Sequence, residues 1–481
     1  MRGVLLGLGC SFFLSISLSA QEIWSLDRCV RTAQENNLGV QSADLNVESA
    51  LLDVKRFQFQ RLPNINASLA GGYQFGRTID PTSNQFIEAN TQFSNGQLSA
   101  GWLVFNGFRV KNSLEQARLN VQANKATAED TRNNISLLVA TAYLNVLFAE
   151  EQLQTTIRQV ALSKEQLDQG DRLVRAGLRP ENERLALASQ LAQSEYQVVL
   201  SQNSLDQAFL SLKQLMLVDP ETEIRIERPE FDPMSLGDPS ALTSESVYRM
   251  ALQTQPVIRA AELRMQSADK GVDIAQSGFY PTISLFGGLS SAYSNNFLDF
   301  AQPDYSNATA ILGTAVPVVI DGEDATLAQY NLSGITFPTV SFSDQLERNF
   351  GKNLGVSLSI PIYNNHSNQL NVQQSRIAEE QARISTEQAR QQLKSDVEQA
   401  VQAARAARLQ YSSAREAFAS QQAAYQALSR RYELGAANAV EFAQAKANLD
   451  NAESQVIVGK YEYLFRMKVL DFYLGKSMTL N

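Results

Sequence analysis

Apolar positions along the chain follow two periods, and the periods alternate in a fixed order. From Leu26 to Gln60 they recur at helical spacing, and Pro63 closes the run. Beyond it Ile65, Ala67, Leu69, Gly71, Tyr73 and Phe75 share one side of a period-two alternation. Asn64, Asn66, Ser68 and Gln74 take the other, which predicts a strand with one apolar face. Leu98, Ala100, Trp102 and Val104, set against Gln97, Ser99 and Gly101, predict a second strand. Phe108 to Gln169 then contains neither Gly nor Pro, and as one helix it would span roughly 95 Å at 1.5 Å per residue. Gly177 and Pro180 mark a turn into a further helix.

The same order recurs. Ala33, Ala43, Leu45, Val54, Pro63 and Ile65 align without a gap on Ala251, Ala261, Leu263, Val272, Pro281 and Ile283, a shift of 218 (251 − 33). Asn106, Val139, Gly177, Glu183 and Leu212 align on Asn364, Val397, Gly435, Glu441 and Leu470, a shift of 258 (364 − 106). The second copy therefore carries about 40 extra residues (258 − 218) between Tyr293 and Lys352. Ordered self-similarity of this kind is an internal repeat. The chain divides into a first repeat over 21–217 (helix, strands 64–76 and 94–105, long helix 108–170, helix 182–217) and a connecting segment 218–245. A second repeat follows over 246–475 (helix, strands 282–293 and 353–362, long helix 366–434, helix 437–474), then a tail 476–481.

The second long helix carries a 4-3 seam through Leu393, Val397, Ala400, Ala404, Ala407, Tyr411, Ala414 and Phe418, resumed at Tyr425, Leu428 and Tyr432, which predicts coiled-coil packing. Two shorter helices placed end to end match one long helix, with the strands leaving at one end and the turn lying at the other. One end is then β and the other a bare helical tip.

Composition narrows the function. Charged residues make up 19% of the 481, with a formal net charge of −9, which is not the basic footprint of a nucleic-acid binder. Arg2, the apolar run Val4 to Leu18 and the small pair Ser19-Ala20 predict a signal peptide over 1–20; Cys10 after Leu8-Gly9 offers lipidation as a second option. Cleavage after Ala20 would leave Cys29 as a lone thiol, without a disulfide partner or a metal cluster. No later run reaches 18 apolar residues, so the sequence predicts no transmembrane helix, which leaves a membrane β-barrel open. The one histidine, His366, sits at a helix start next to a strand and reads as a solvated cap rather than as the base of a triad, and no phosphate loop, cofactor motif or metal spacing is present. The chain reads as a non-enzyme without cofactors.

Four strands cannot close a barrel, and an open sheet in lipid would leave polar edges unsatisfied at several kcal/mol per group. Several copies must pool strands; the spacing permits eight, twelve or sixteen. Tyr73, Phe75, Trp102, Phe105, Tyr280 and Tyr363 are candidates for aromatic girdles, or for a soluble sheet packed on a helix.

This combination resembles the TolC-like outer membrane efflux proteins. The likeness rests on the secretion signal, the twice-repeated helix–strand–strand–helix–turn–helix and a Gly at each helical turn, and it covers Ser25 to Gly475. The resemblance implies a mostly α fold with a membrane β part: a homotrimer pooling four strands per chain into a twelve-stranded β-barrel, continued by a coiled-coil α-barrel across the periplasm of a Gram-negative-type bacterium. It implies outer-membrane lipid, a periplasmic adaptor and an inner-membrane pump as partners, no nucleic acid, and passive export of small molecules. The competing reading is a secreted coiled-coil tether or adhesin without a pore.

The family's tip segment resembles Tyr432-Glu433-Leu434-Gly435 followed by Val440-Glu441, with Val174-Arg175-Ala176-Gly177 and then Glu183 in the first copy. By that resemblance Tyr432 and Glu441 match a Tyr and a first acidic position of a closing constriction; the second acidic position is Gln444 here, a departure that weakens a charged ring. Arg179 is the first copy's candidate for a tip ion pair, and Glu183 its candidate carboxylate. Gly177, Leu178, Gly435 and Ala436 are the candidate adaptor-docking turns. Without the resemblance, Glu183 and Glu441 read as first-turn helix acids favoured by the macrodipole.

Overall fold

The computed structural model describes residues 23–476 apart from 80–83, 85, 89, 229–236, 314–315 and 328–329. The expected signal peptide and most of the tail lie outside the described residues. In chain order the elements are β1 (Ile23–Trp24), α1 (Leu26–Asn36), α2 (Leu38–Phe59), β2 (Asn64–Gln74), β3 (Arg77–Ile79), β4 (Phe86–Glu88), β5 (Thr91–Asn106), α3 (Arg109–Arg175) and α4 (Glu181–Met216). They continue with β6 (Arg225–Ile226), α5 (Ser244–Thr254), α6 (Pro256–Gln276), β7 (Thr282–Ser294), β8 (Thr309–Leu312), β9 (Val316–Ile320), β10 (Glu323–Leu327) and β11 (Tyr330–Ser333). α7 (Phe342–Arg348), β12 (Gly351–Ser359), α8 (Ser367–Glu433) and α9 (Ala439–Tyr473) complete the chain.

Each repeat opens on two helices, not on the single helix expected over Leu26–Gln60. Asn37 takes an extended conformation that ends α1, and its side chain then accepts the Gly39 and Val40 amides as the cap of α2. In the second copy Gln255 is extended at the matching position (37 + 218), because the Pro256 ring disfavours a helical residue before it. The extra residues of the second copy also hold more structure than a plain loop: β8 pairs with β11, β9 with β10, and α7 follows.

The described residues form two units. The first comprises 23–52, 118–268 and 378–476, and is helical apart from the parallel pair β1–β6. Its first-copy core gathers Cys29 and Ala33 of α1, Val139 to Leu147 of α3, and Leu212 and Met216 of α4. Burial pushes the Cys29 thiol up to about 12, an inert packing residue. Its second-copy core is the predicted seam, Leu393 to Tyr411, packed on Val247 and Ala251 of α5 and on Tyr463, Met467 and Leu470 of α9. The second unit comprises 53–117 and 269–377 and holds a four-stranded antiparallel sheet in the order β12-β7-β5-β2.

Candidate functional site

The sheet of the second unit has one apolar and one polar face. Its register sets Ile65 opposite Ala100 and Ala67 opposite Leu98 across β2–β5, Leu98 opposite Leu289 and Trp102 opposite Leu285 across β5–β7, and Val356 opposite Leu285 across β7–β12. Opposed residues share a face. The other face is Asn66, Ser99, Gln97, Ser290, Ser284 and Ser357, with Phe93, Leu103 and Phe286 as large exceptions. The apolar face is bare: Leu69 is 85% exposed and Leu354 90%. A four-stranded sheet with an uncovered apolar face is unstable in water, so something apolar must cover it.

The aromatic candidates sort to two levels of this sheet. Tyr73 lies opposite Gln92, with the Phe75 ring stacked 6.5 Å away. Trp102 and Phe105 lie toward the other end of β5, where Tyr280 precedes β7 and Tyr363 follows β12. Trp102 Nε1 donates to the Arg61 carbonyl at 2.8 Å, so the ring is apolar with a satisfied polar edge. Ten residues of β5 separate the levels, roughly 33 Å along the strand and about 25 Å after a tilt near 40°, the height of an outer-membrane apolar band.

The helical turns belong to the first unit and are built alike. Gly177 and Gly435 adopt φ of +70° and +77°, which an L side chain would strain. Leu178 N donates to the Leu173 carbonyl and Gly177 N to that of Val174; Ala436 N donates to Arg431 and Gly435 N to Tyr432 in the same pattern. Both are glycine-ended helix stops that satisfy the last carbonyls. The turns expose Leu178, Leu434 and Val440 while Leu187, Ala439 and Phe442 are buried behind them.

Arg179 joins the two turns. Its Nη2 donates to the Tyr432 carbonyl at 2.6 Å, its Nη1 to the Ala437 carbonyl at 3.2 Å, and Nη1 also lies 3.3 Å from Glu183 Oε1. The guanidinium sits over the Tyr432 ring, 4.8 Å from its centroid. Arg179 and Glu183 side chains are only 13% and 12% exposed, so the pair is a buried one. Behind it the rings run Tyr432–Phe442 at 4.7 Å and Phe442–Tyr425 at 5.5 Å, and Gln166 Nε2 donates to the Tyr425 hydroxyl. Burial, then the Glu183 carboxylate, raises the Tyr432 hydroxyl above its ordinary value. Both that hydroxyl and Glu183 Oε2 are buried without a hydrogen-bond partner among the described residues.

The two candidate carboxylates therefore differ. Glu183 is held by Arg179 inside the turn. Glu441 is exposed; its amide donates to Asn438 Oδ1 at 2.8 Å and its carboxylate accepts from Asn438 Nδ2 at 3.0 Å, a reciprocal helix cap. The pattern along the chain gave no sign of the Arg179–carbonyl bonds, because carbonyls carry no side-chain signature. It also missed the ion pair of Lys446, 1% exposed, with Asp450 on α9. A Lys four residues before an Asp reads as a surface helix pair until burial is known. Burial raises the Asp450 carboxyl, against the lowering effect of Lys446.

Comparison with known proteins adds an independent finding. Residues 29–216, 247–333 and 324–476 match the model of the family described as outer membrane efflux protein. The chain is 23% identical over 366 residues to outer membrane protein TolC of Vibrio cholerae, covering 74% of this chain and 78% of that protein. It is 27% identical over 303 residues to outer membrane protein OprJ of Pseudomonas aeruginosa, covering 62% of this chain and 60% of that one. A crystal structure of CusC superposes with a TM-score of 0.74 at 20% identity, over 94% of this chain and 92% of that one.

Proposed function

The chain belongs to the outer membrane efflux protein family, and we propose that it is the outer-membrane channel subunit of a tripartite export system. The observation that carries this reading is the sheet: one largely apolar face, one hydroxyl- and amide-bearing face, and edge strands β2 and β12 whose outer sides are unpaired among the described residues. Lipid covers the first face, water the second, and neighbouring copies the edges. Three chains supply twelve strands. The two aromatic levels lie at the membrane surfaces. A tether without a pore would leave the two-faced sheet without a purpose.

The helical turns form the periplasmic end. Arg179 holds the two turns of one chain together, and Glu441 of each copy supplies the carboxylates left free to face the duct. Leu178 and Leu434 beside Gly177 and Gly435 offer apolar contact to an adaptor, which couples the passive duct to an inner-membrane pump. Conductance of the purified mature trimer in a planar bilayer tests this. Discrete channels whose cation preference falls in Glu441→Gln support the duct and its acidic ring. Unchanged selectivity removes the ring, and folded, oligomeric protein without channels removes the duct.

A further inference from the structure

The internal repeat is kept at the level of single contacts. The β2–β5 pair Ile65↔Ala100 and the β7–β12 pair Ile283↔Leu358 are the same pair, shifted by 218 and 258. Likewise the Arg132–Asp44 ion pair between α3 and α2 recurs as Arg390–Glu262 between α8 and α6. Each copy thus packs its own entry helix on its own long helix in one manner.

A second set of contacts joins copy one to copy two. In the sheet, β5 pairs with β7, with Ala100 opposite Gly287. Among the helices, α6 packs on α3: Ser267 Oγ donates to Asn120 Oδ1 at 2.6 Å, and Arg264 Nη2 to Thr127 Oγ1 at 2.8 Å. The repeat demands the converse contact, copy two onto copy one, through β12 with β2 and α8 with α2. Among the described residues β2 and β12 do not pair, since they are the two edges of the sheet.

The surfaces that would make it are bare and matched. α2 exposes Leu45, Leu52 and Phe59, and α8 exposes Leu370, Ile377 and Ile384; each is at least half exposed and each set steps by seven residues. The equivalent positions, Leu263 and Lys270 on α6, Ser277 just beyond its end, and Asn112, Leu119 and Ala126 on α3, are all buried or half-buried. A seven-residue apolar stripe is a helix-packing seam.

We propose that a second copy of this chain covers these surfaces, and that the in-chain contact fixes their register. Shifting Ser267–Asn120 places Ser49 of one copy beside Ala378 of the next; the stripes then meet antiparallel as Leu45 with Ile384, Leu52 with Ile377 and Phe59 with Leu370. Shifting Ala100↔Gly287 places Leu358 opposite Leu69 between copies, which keeps the apolar faces continuous from one subunit to the next. The inference rests on the oligomeric reading above and adds which residues meet.

Paired cysteines in a Cys29→Ala background test it. Ser49→Cys with Ala378→Cys is expected to yield covalent dimers and trimers on oxidation, whereas Ser49→Cys with Ser385→Cys, two turns along, is expected to stay monomeric on a denaturing gel. Equal cross-linking of both pairs, or none in protein that is oligomeric by native mass, overturns the register while leaving the channel reading intact. Protein that is monomeric by native mass in detergent and forms no channels overturns both. A second measurement avoids oxidation: Leu52→Glu, at a position exposed in the single chain, is expected to dissociate the oligomer, and Ile377→Lys to restore it. Dissociation without rescue overturns the pairing.

Discussion

The sheet and the helical turns solve the same problem in opposite ways. Each must bury apolar residues at an end of its unit. The turns do it within the chain: Leu187, Tyr432, Ala439 and Phe442 close a small core, and Arg179 satisfies the carbonyls at the helix stop. The sheet does not. Leu69 and Leu354 stand almost fully exposed, and among the described residues its two edge strands pair on one side only. One region is complete as folded. The other, on the channel reading proposed above, is completed by lipid and by other copies, which makes its stability inseparable from assembly.

Four changes would break or sharpen that contrast. Arg179→Ala is expected to have the largest effect, because it leaves the Glu183 carboxylate buried without its cation, a loss of about 3–5 kcal/mol. Hydrogen exchange of the turns should rise while the sheet stays protected. Arg179→Lys should recover only part of the loss, since an ammonium cannot reach two carbonyls and a carboxylate in one plane. If exchange does not change, the turns are held by the aromatic stack alone.

Leu354→Arg should cost about 2–4 kcal/mol where the apolar face meets the membrane midplane, and abolish insertion into lipid vesicles. Ser357→Arg, on the opposite face, should insert normally. Equal behaviour of the two would mean the sheet does not sit in lipid.

A smaller effect depends on pH. Burial raises the Asp450 carboxyl above 3.8, so the folded chain binds that proton more readily than the unfolded chain. The stabilisation is present below 3.8 and is lost as pH rises through the raised folded value. Thermal unfolding of the helical unit should show this slope, and Asp450→Asn should flatten it. Smallest of all, Glu441→Gln should change stability by less than about 1 kcal/mol, since an exposed cap carboxylate contributes little. Its effect belongs in ion selectivity, measured as reversal potential.

Much of this was legible along the chain because the physics involved is periodic. Alternation of Ile65, Ala67 and Leu69 against Asn66 and Ser68 requires a two-faced strand. The seam from Leu393 to Tyr411 requires a packed helix, and Gly177 and Gly435 require turns. Repetition of all three gave the order of elements and the need for further copies. The sequence pattern did not reveal the break at Asn37, because a capping Asn in an amphipathic run looks like any polar position. The strands in the 40-residue insertion escaped it too, since β8 to β11 are short and carry no sustained alternation.

What sequence alone determined, then, is what depends on spacing: element types, their order, the repeat, and the two-faced sheet. The tertiary structure decided which charges matter. Glu183 and Glu441 occupy equivalent places in the repeat, yet one is buried under Arg179 and the other caps a helix in water. That difference arises because Arg179 has no counterpart in the second copy, where Ala437 stands at the equivalent position and offers a carbonyl instead. A repeat fixes where a side chain begins; only packing fixes what it reaches.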